Sequence, residues 1–322
     1  MTTEATVGRR RTWVRTRKNR VRTQPARLLS RGSRIAMWGG LWLAVAAYVL
    51  FGIVPMIGNI IISFTDYTEL QGVAVHNVGF YNYAQMFSTQ APGLEQGLVA
   101  SVIFVVGVTL GQNLLALLLA HKLVGAGRLA AVGRVLVFLP IALGVTIVGL
   151  LWTLIFNPGT GPMASLFGAF GVHSAFFGGD TAAMPLVIFV QIWMNTGFST
   201  LVFIGGLRSI DPALYEAAAV DGIGGWQRLR RITYPLLAPS VTANVMLALV
   251  GSFTMYNLIY VLTAGKFGTQ TLGMLSFNVA FGSYEADLGY GAAVSVLLFL
   301  LTLIVALPLL IMLRRRERKL LT

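Results

Sequence analysis

Apolar residues are concentrated in six long stretches, and most polar residues lie between them. A helix needs roughly 20 mostly apolar residues to cross about 30 Å of hydrocarbon, because all its backbone amides must be hydrogen-bonded within the segment. The pattern predicts six transmembrane helices, over residues 37–64, 98–120, 135–156, 185–207, 236–263 and 289–313. We therefore expect an all-α integral membrane fold, with Pro55 kinking the first span.

The positive charges indicate how these spans are oriented. All but one of the 24 Lys and Arg residues lie in the N-terminal tail, between spans two and three, between spans four and five, or at the C-terminus; the exception is Lys266. Because cytoplasmic loops hold the excess of positive charge, both termini are predicted to be cytoplasmic. The chain then divides into a disordered basic tail (1–36), a six-helix permease domain (37–313) and a basic C-terminus (314–322).

Composition and motifs exclude several function classes. The chain is 56% hydrophobic and 11% charged, whereas soluble domains carry about a quarter charged residues. A net charge of +13 located at membrane edges favours contact with lipid rather than nucleic acid. The sequence has no cysteine, no phosphate-binding loop and no cluster of nucleophile, acid and base. We predict a chain without catalytic residues, metal or cofactor.

One predicted cytoplasmic loop, 208–235, is long enough to receive force from a partner protein. Asp211 can cap a helix that has Pro212 at its first position, and Gly222 permits a sharp turn. A second helical segment follows, and Pro235 is expected to end it before the fifth span. This segment carries an apolar stripe formed by Trp226, Leu229 and Ile232.

This loop resembles the coupling loop of bacterial ABC importer permeases, which reads E-A-A, then D-G, then I-x-x-P. The family spacing is matched by Glu216, Ala217, Ala218, Asp221, Gly222, Ile232 and Pro235. Leu229 and Ile223 stand where the family commonly has Phe and Ala. The resemblance implies a type I ABC importer permease fold, in which this loop docks as a short helix in a groove of an ATPase subunit.

Other stretches resemble the carbohydrate branch of that family, particularly the first permease of maltose-type heterodimers. They are 63–67, 78–83, 193–197 and 258–263, whereas 264–267 departs from the branch's glycine-rich run ending in proline. The resemblance implies a heterodimer with a second homologous permease in the bacterial cytoplasmic (inner) membrane. It also implies two ATPase subunits, which bind ATP and Mg, and an external substrate-binding protein.

A sugar would need polar, uncharged partners and aromatic rings along its pathway. The candidates recur at helical spacing in the fourth and fifth spans: Gln191, Trp193, Asn195, Ser252, Phe253, Tyr256 and Asn257. Polar contacts between helices are the alternative interpretation of these residues.

Two other functions remain open at this stage. An importer of the same kind could carry a polyol or a glycerophosphodiester, since similar loops serve many substrates. An ATP-independent carrier or channel is disfavoured because the spans lack a central charged residue, which ion-coupled carriers generally use.

Overall fold

The protein is predominantly α-helical in its described part. A computed structural model describes residues 31–68, 74–88, 93–282 and 286–321, so residues 1–30 of the predicted tail lie outside it. The α-helices are α1 (Arg31–Tyr48), α2 (Val54–Ile62), α3 (Tyr81–Met86), α4 (Leu94–Leu123), α5 (Arg128–Ala142), α6 (Val145–Ile155), α7 (Pro162–Gly168), α8 (Ala183–Arg208), α9 (Pro212–Val220), α10 (Gly225–Arg228), α11 (Tyr234–Leu236), α12 (Ala238–Phe253), α13 (Asn257–Thr263), α14 (Leu272–Phe281) and α15 (Leu288–Leu321). The all-α prediction is confirmed.

The chain divides into two compact units at Pro55. In the N-terminal unit, α1 continues into a π-helical turn, Val49–Ile53, in which the N–H of Val54 donates to the carbonyl oxygen of Val49. Proline has no N–H to donate, and a π turn is one way in which the helical hydrogen-bond pattern adjusts to it. The backbone is thus irregular immediately before Pro55, where the sequence predicts a kink.

Four of the predicted spans are single long helical segments. In the described part of the chain, Trp38–Ile62, Leu94–Leu123, Ala183–Arg208 and Leu288–Lys319 are long and apolar enough to cross a membrane. Two bent helix pairs also pass this test, which gives six candidate spans when each pair is counted as one. The number of predicted spans agrees with this count.

The third predicted span is divided by a sharp bend. Helices α5 and α6 are inclined at 97° to each other, and Gly144 at the bend has a φ of +78°. Glycine adopts such a φ without the steric cost that a side chain would add. Both arms of the bend are apolar, so hydropathy alone predicts one straight helix here.

The fifth predicted span, 236–263, is two helices rather than one. Helix α12 ends at Phe253 and α13 begins at Asn257. The Thr254 hydroxyl donates to the carbonyl of Val250 at 3.2 Å, and the side-chain oxygen of Asn257 accepts the N–H of Leu258 at 2.9 Å. Polar side chains at the break thus bond backbone groups locally, in competition with a continuous helix.

Helix α8 lies at the centre of the packing, in contact with α4, α5 and α12. The largest core cluster joins Phe104 and Val108 of α4 to Val187 and Val190 of α8. Gly197 lets α8 approach α5 closely, because a Cβ there would overlap the Val137 carbonyl oxygen and lie 2.7 Å from Phe138 Cα. Small residues at such positions let membrane helices pack backbone to backbone.

The connection that follows α2 is fixed by a polar and aromatic cluster. The hydroxyls of Ser63 and Tyr83 lie 2.6 Å apart, and the side-chain amide of Asn82 donates to the carbonyls of Ser63 (3.0 Å) and Thr65 (2.9 Å). The ring of Phe64 also packs against Tyr83. Two stretches on which the family resemblance rests, 63–67 and 78–83, are therefore in direct contact.

Candidate functional site

The predicted coupling loop contains a capped helix followed by a glycine turn. Asp211 caps α9, and its carboxylate accepts the N–H of Ala213 at 2.9 Å, with Pro212 in the first turn. Gly222 has a φ of +70° just after the helix ends. Both local predictions from the sequence are confirmed, and they place a short, well-defined helix between α8 and α10.

Helix α9 buries one side and exposes the other. Ala218 is only 3% exposed, whereas Glu216, Ala217, Asp221 and Gly222 are exposed. The matched motif therefore has one buried alanine and four residues available for contact with another molecule. Ile232 and Pro235, which complete the motif, are half-buried in the segment that follows.

Two exposed apolar side chains extend this surface beyond the motif. Val220 is 88% exposed and Trp226 is 73% exposed. The sequence predicts one apolar stripe of Trp226, Leu229 and Ile232, but in the structure only Leu229 and Ile232 are half-buried. Both side chains, Val220 and Trp226, lie within loop 208–235, and an exposed apolar surface there would suit contact with a partner. No sequence pattern distinguishes Val220 from a residue that faces its own chain.

The two helical parts of the loop are tied together by Tyr215. Its hydroxyl lies 3.1 Å from the hydroxyl of Thr233, and the guanidinium of Arg228 lies 5.5 Å from the centre of its ring. Thr233 is buried, so the contact is shielded from competing water. Helix α9 is thereby connected to the segment that leads into α12.

The second helical part does not end at Pro235 as the sequence predicts. A π-helical segment, Leu229–Thr233, continues directly into α11, in which Pro235 lies. The N–H of Tyr234 donates to the carbonyl of Leu229, and this wider turn accommodates a following residue that has no N–H. The bend, of 66°, comes instead between Leu236 and Ala238.

The end of α4 lies against the base of the same loop. Arg134 donates to the carbonyls of Leu123 (2.6 Å) and Gly125 (2.9 Å), and Arg208 donates to that of Val124 (3.3 Å). Cations at a helix C-terminus satisfy its free carbonyls and its dipole. A cavity of about 410 Å³ joins this helix end to the loop, with His121, Val124 and Leu207 on one side and Tyr215, Leu229 and Thr233 on the other.

A polar network joins three helices within the apolar core. The side-chain amide of Gln112 on α4 donates to the hydroxyl of Ser199 on α8 at 2.8 Å. The side-chain amide of Asn244 on α12 donates to the carbonyl of the same serine at 3.0 Å. All three residues are buried, so these bonds fix how the helices sit against one another.

The predicted pathway residues fall into three environments. Gln191 and Ser252 are buried, and their side-chain oxygens have no hydrogen-bond partner within the described chain. Phe253 lies in a hydrophobic core cluster. Asn195 and Asn257 form local hydrogen bonds. The Asn195 side chain donates to the carbonyl of Gln191 at 3.3 Å, and the Asn257 side-chain oxygen accepts the N–H of Leu258 at the start of α13.

The aromatic candidates belong to two separate ring groups. Trp193 packs edge-on against Trp152 with centroids 5.3 Å apart, and Trp152 also contacts Phe189 at 5.2 Å. Tyr256 stacks on Phe277 at 4.9 Å. The sequence pattern did not single out these three neighbours: Trp152 and Phe277 lie outside the two spans that it compared, and Phe189 lies in the fourth span but beside no polar candidate.

Comparison with known proteins identifies the chain. Residues 112–319, which include the whole loop, match the family described as "Binding-protein-dependent transport system inner membrane component". The chain belongs to this family of ABC transporter permeases. The trehalose/maltose transport system permease protein MalF of Thermococcus litoralis is 31% identical to this permease over 79% of its chain and 85% of the relative. The multiple sugar-binding transport system permease protein MsmF of Streptococcus mutans is 28% identical over 84% and 92%.

The fold of the permease also matches a solved transporter chain. A chain of a bacterial alginate ABC transporter, crystallised with an alginate-pentasaccharide-bound periplasmic protein, superposes with a TM-score of 0.72. The match covers 89% of this permease and 95% of that chain at 21% sequence identity. The type I permease fold is therefore established, and the inner membrane is the compartment of the family.

Proposed function

We propose that this permease forms half of a pathway that imports a carbohydrate, and that separate ATPase subunits drive it through loop 208–235. The observation that carries the proposal is the asymmetry of α9. One side is fixed through Ala218 and Tyr215, and the other presents Glu216 and Val220 to a partner. A helix held in this way can pass a push or a pull to α12 without changing its own shape.

The proposed assembly contains four further proteins. A second permease of the same fold completes the pathway, two ATPase subunits bind ATP and Mg, and an external binding protein delivers the solute. Both termini and the loop face the cytoplasm, in keeping with the distribution of Lys and Arg. Closure of the ATPases on ATP favours an outward-facing state, and hydrolysis returns the pathway inward.

A carbohydrate is the proposed solute because of the relatives' names and of the chemistry along the core. Gln191 and Ser252 offer buried oxygens without internal partners, and Trp193 and Tyr256 offer rings. Sugar hydroxyls need such oxygens, and the apolar faces of sugars pack on rings. We assign these residues, with Asn195, Phe253 and Asn257, to the pathway.

The coupling role can be tested with a matched pair of charge reversals. Glu216→Lys changes the exposed side of α9, and Asp180→Lys makes the same change at an exposed acid outside loop 208–235. In proteoliposomes that contain the assembled transporter, Glu216→Lys and Gly222→Pro should lower solute uptake at least tenfold, whereas Asp180→Lys keeps it. Normal uptake by both loop variants, or uptake without ATP and without any co-purified ATPase, would refute the proposal.

The class of solute needs a separate measurement. The solute that raises the melting temperature of the cognate external binding protein identifies the cargo. We expect a saccharide to do so. Stabilisation by amino acids or metal ions alone would contradict the carbohydrate assignment and leave the coupling role standing.

A further inference from the structure

A large cavity of the described chain lies far from the coupling loop. It has a volume of about 760 Å³ and opens between the first turns of α4, at Glu95 and Gln96, and the segment 265–270. The C-terminal end of α4 touches the base of the loop through Arg208. The cavity reaches along α4 from Glu95 to Ile103, and α4 ends at Leu123. At a rise of about 1.5 Å per residue, the cavity lies about 30–42 Å from that end.

One wall of the cavity is a segment held in an unusual backbone conformation. Of the five residues 264–268, four have a positive φ: Ala264 (+52°), Gly265 (+77°), Phe267 (+56°) and Gly268 (+71°). Two of these four are not glycine, and side chains rarely adopt this region. Such local strain persists only where the surroundings enforce it, and it is concentrated at functional sites.

Buried hydroxyl groups enforce this conformation. The Thr269 hydroxyl donates to the carbonyl of Lys266 at 2.6 Å and lies 2.6 Å from the hydroxyl of Thr263. Both threonines are buried. The wall is also fixed to α4, because the N–H of Leu272 donates to the hydroxyl of Ser101 at 2.8 Å. The cavity is therefore bounded by two rigid elements.

The lining combines opposite charges, amides and one ring. Glu95 contributes a carboxylate, Lys266 an ammonium group, Gln96 and Gln270 amides, and Phe267 a ring that is 38% exposed. Within the described residues, Glu95 and Lys266 form no ion pair shorter than 4.0 Å. Both charged groups thus keep hydrogen-bonding capacity for a ligand, and their charges cancel.

We propose that this cavity is a receiving site, where an uncharged, hydroxylated solute such as a saccharide binds before it enters the pathway. Hydroxyl groups can donate to the carboxylate and amide oxygens and accept from the ammonium group and amide N–H groups. The C–H face of a sugar ring packs on the exposed phenyl ring. The inference rests on the proposed import function, and it places solute binding at the end of α4 opposite the coupling loop.

Substitutions to glycine separate a binding role from a structural one. Phe267→Gly removes the ring and also relieves the strained φ. Loss of ring packing lowers the free energy of unfolding and relief of the strain raises it, so the melting temperature reports a structural role separately from ligand binding. Ala264→Gly relieves the strain at a residue that does not line the cavity, and it is the matched control. Lys266→Met removes the ammonium group and keeps a chain of similar length.

The experiment is saturation-transfer NMR with trehalose on the purified, assembled transporter without its binding protein. Wild type and Ala264→Gly should give equal trehalose signals, and Phe267→Gly and Lys266→Met should each reduce the signal at least threefold. The melting temperatures of all four proteins are measured in parallel, and Lys266→Met decides the result if Phe267→Gly melts below wild type. Unchanged trehalose signals in both Phe267→Gly and Lys266→Met would overturn the proposed site. The site would also be overturned if these variants bound the external binding protein more weakly but kept the full trehalose signal.

Uptake by the wild-type transporter keeps the two proposals apart. If the reconstituted wild type imports saccharide in an ATP-dependent manner but the lining variants bind trehalose normally, only the receiving site is rejected. If the wild type imports no saccharide, the proposed function itself fails.

Discussion

The close approach of α8 to α5 at Gly197 predicts a large difference between two chemically identical substitutions. In Gly197→Ala, the new methyl group would meet backbone atoms of α5, including the carbonyl carbon of Val137 at 2.8 Å. Backbone cannot rotate away as a side chain can, so the helices must move apart. In Gly205→Ala, on the same helix, the new methyl group has no neighbour within 4 Å.

The magnitude follows from two opposing effects. Overpacking a well-packed contact typically lowers the free energy of unfolding by about 1–3 kcal/mol, and replacing a helical glycine by alanine raises it by up to about 1 kcal/mol. The second effect acts in both variants, so their difference isolates the clash at about 1–3 kcal/mol. At about 2–4 °C per kcal/mol for chains of 150–250 residues, Gly197→Ala should melt roughly 2–12 °C below Gly205→Ala.

The assay is the loss of monodisperse protein in detergent after heating, measured by size-exclusion chromatography. We expect the melting temperature of Gly205→Ala to equal or exceed that of wild type, and that of Gly197→Ala to fall below both. Equal melting temperatures for the two variants would refute the claim that the α5–α8 contact depends on a missing side chain. A gain in stability for Gly197→Ala would show that the helices are not in contact there.

Two further predictions concern individual hydrogen bonds. Tyr215→Phe removes the hydrogen bond to Thr233, which is worth about 1 kcal/mol. In the assembled transporter, this variant should hydrolyse more ATP for each solute molecule imported. An unchanged ratio would exclude Tyr215 as a link between α9 and α12. The N–H of His76 donates to Asp66 at 2.6 Å and lowers the pKa of that exposed carboxyl. Because the folded-state pKa is the lower one, this contact stabilises the loop above the ordinary aspartate pKa of about 3.9 and is lost as pH falls through the folded value. A carbon-13 titration of the Asp66 carboxyl with a midpoint at or above the ordinary value would contradict it.

The sequence predicted those features whose causes are local. Asp211 and Pro212 start α9 because a side-chain acceptor and a fixed φ act within one turn. Gly222 permits the turn that follows through its own backbone freedom. The six spans follow from the length of apolar stretches, which is also a property of neighbouring residues.

The features that the sequence did not predict depend on distant residues or on geometry within apolar stretches. The bend at Gly144 lies inside an apolar stretch, so the hydropathy pattern contains no sign of it. The break between α12 and α13 lies at Thr254 and Asn257, but the averaged hydropathy of the fifth stretch stays high enough to predict one span. Helix α14 has ten residues, too few for a span, and was missed for that reason. Gln112 and Ser199 are 87 positions apart, a separation that residue periodicity cannot connect.

Helix α4 connects the two ends of the permease at which we place partner contact and solute binding. Arg134 and Arg208 hold its C-terminal carbonyls beside the coupling loop, and Ser101 fixes the wall of the receiving cavity near its other end. Between them, Gln112 joins the helix to α8. A continuous helix anchored at both ends and in the middle transmits displacement by moving as a rigid body rather than by bending. It follows that a change at the loop should alter solute binding about 30–42 Å away only when α4 moves together with α8, because their buried hydrogen bond would otherwise have to break without water to replace it.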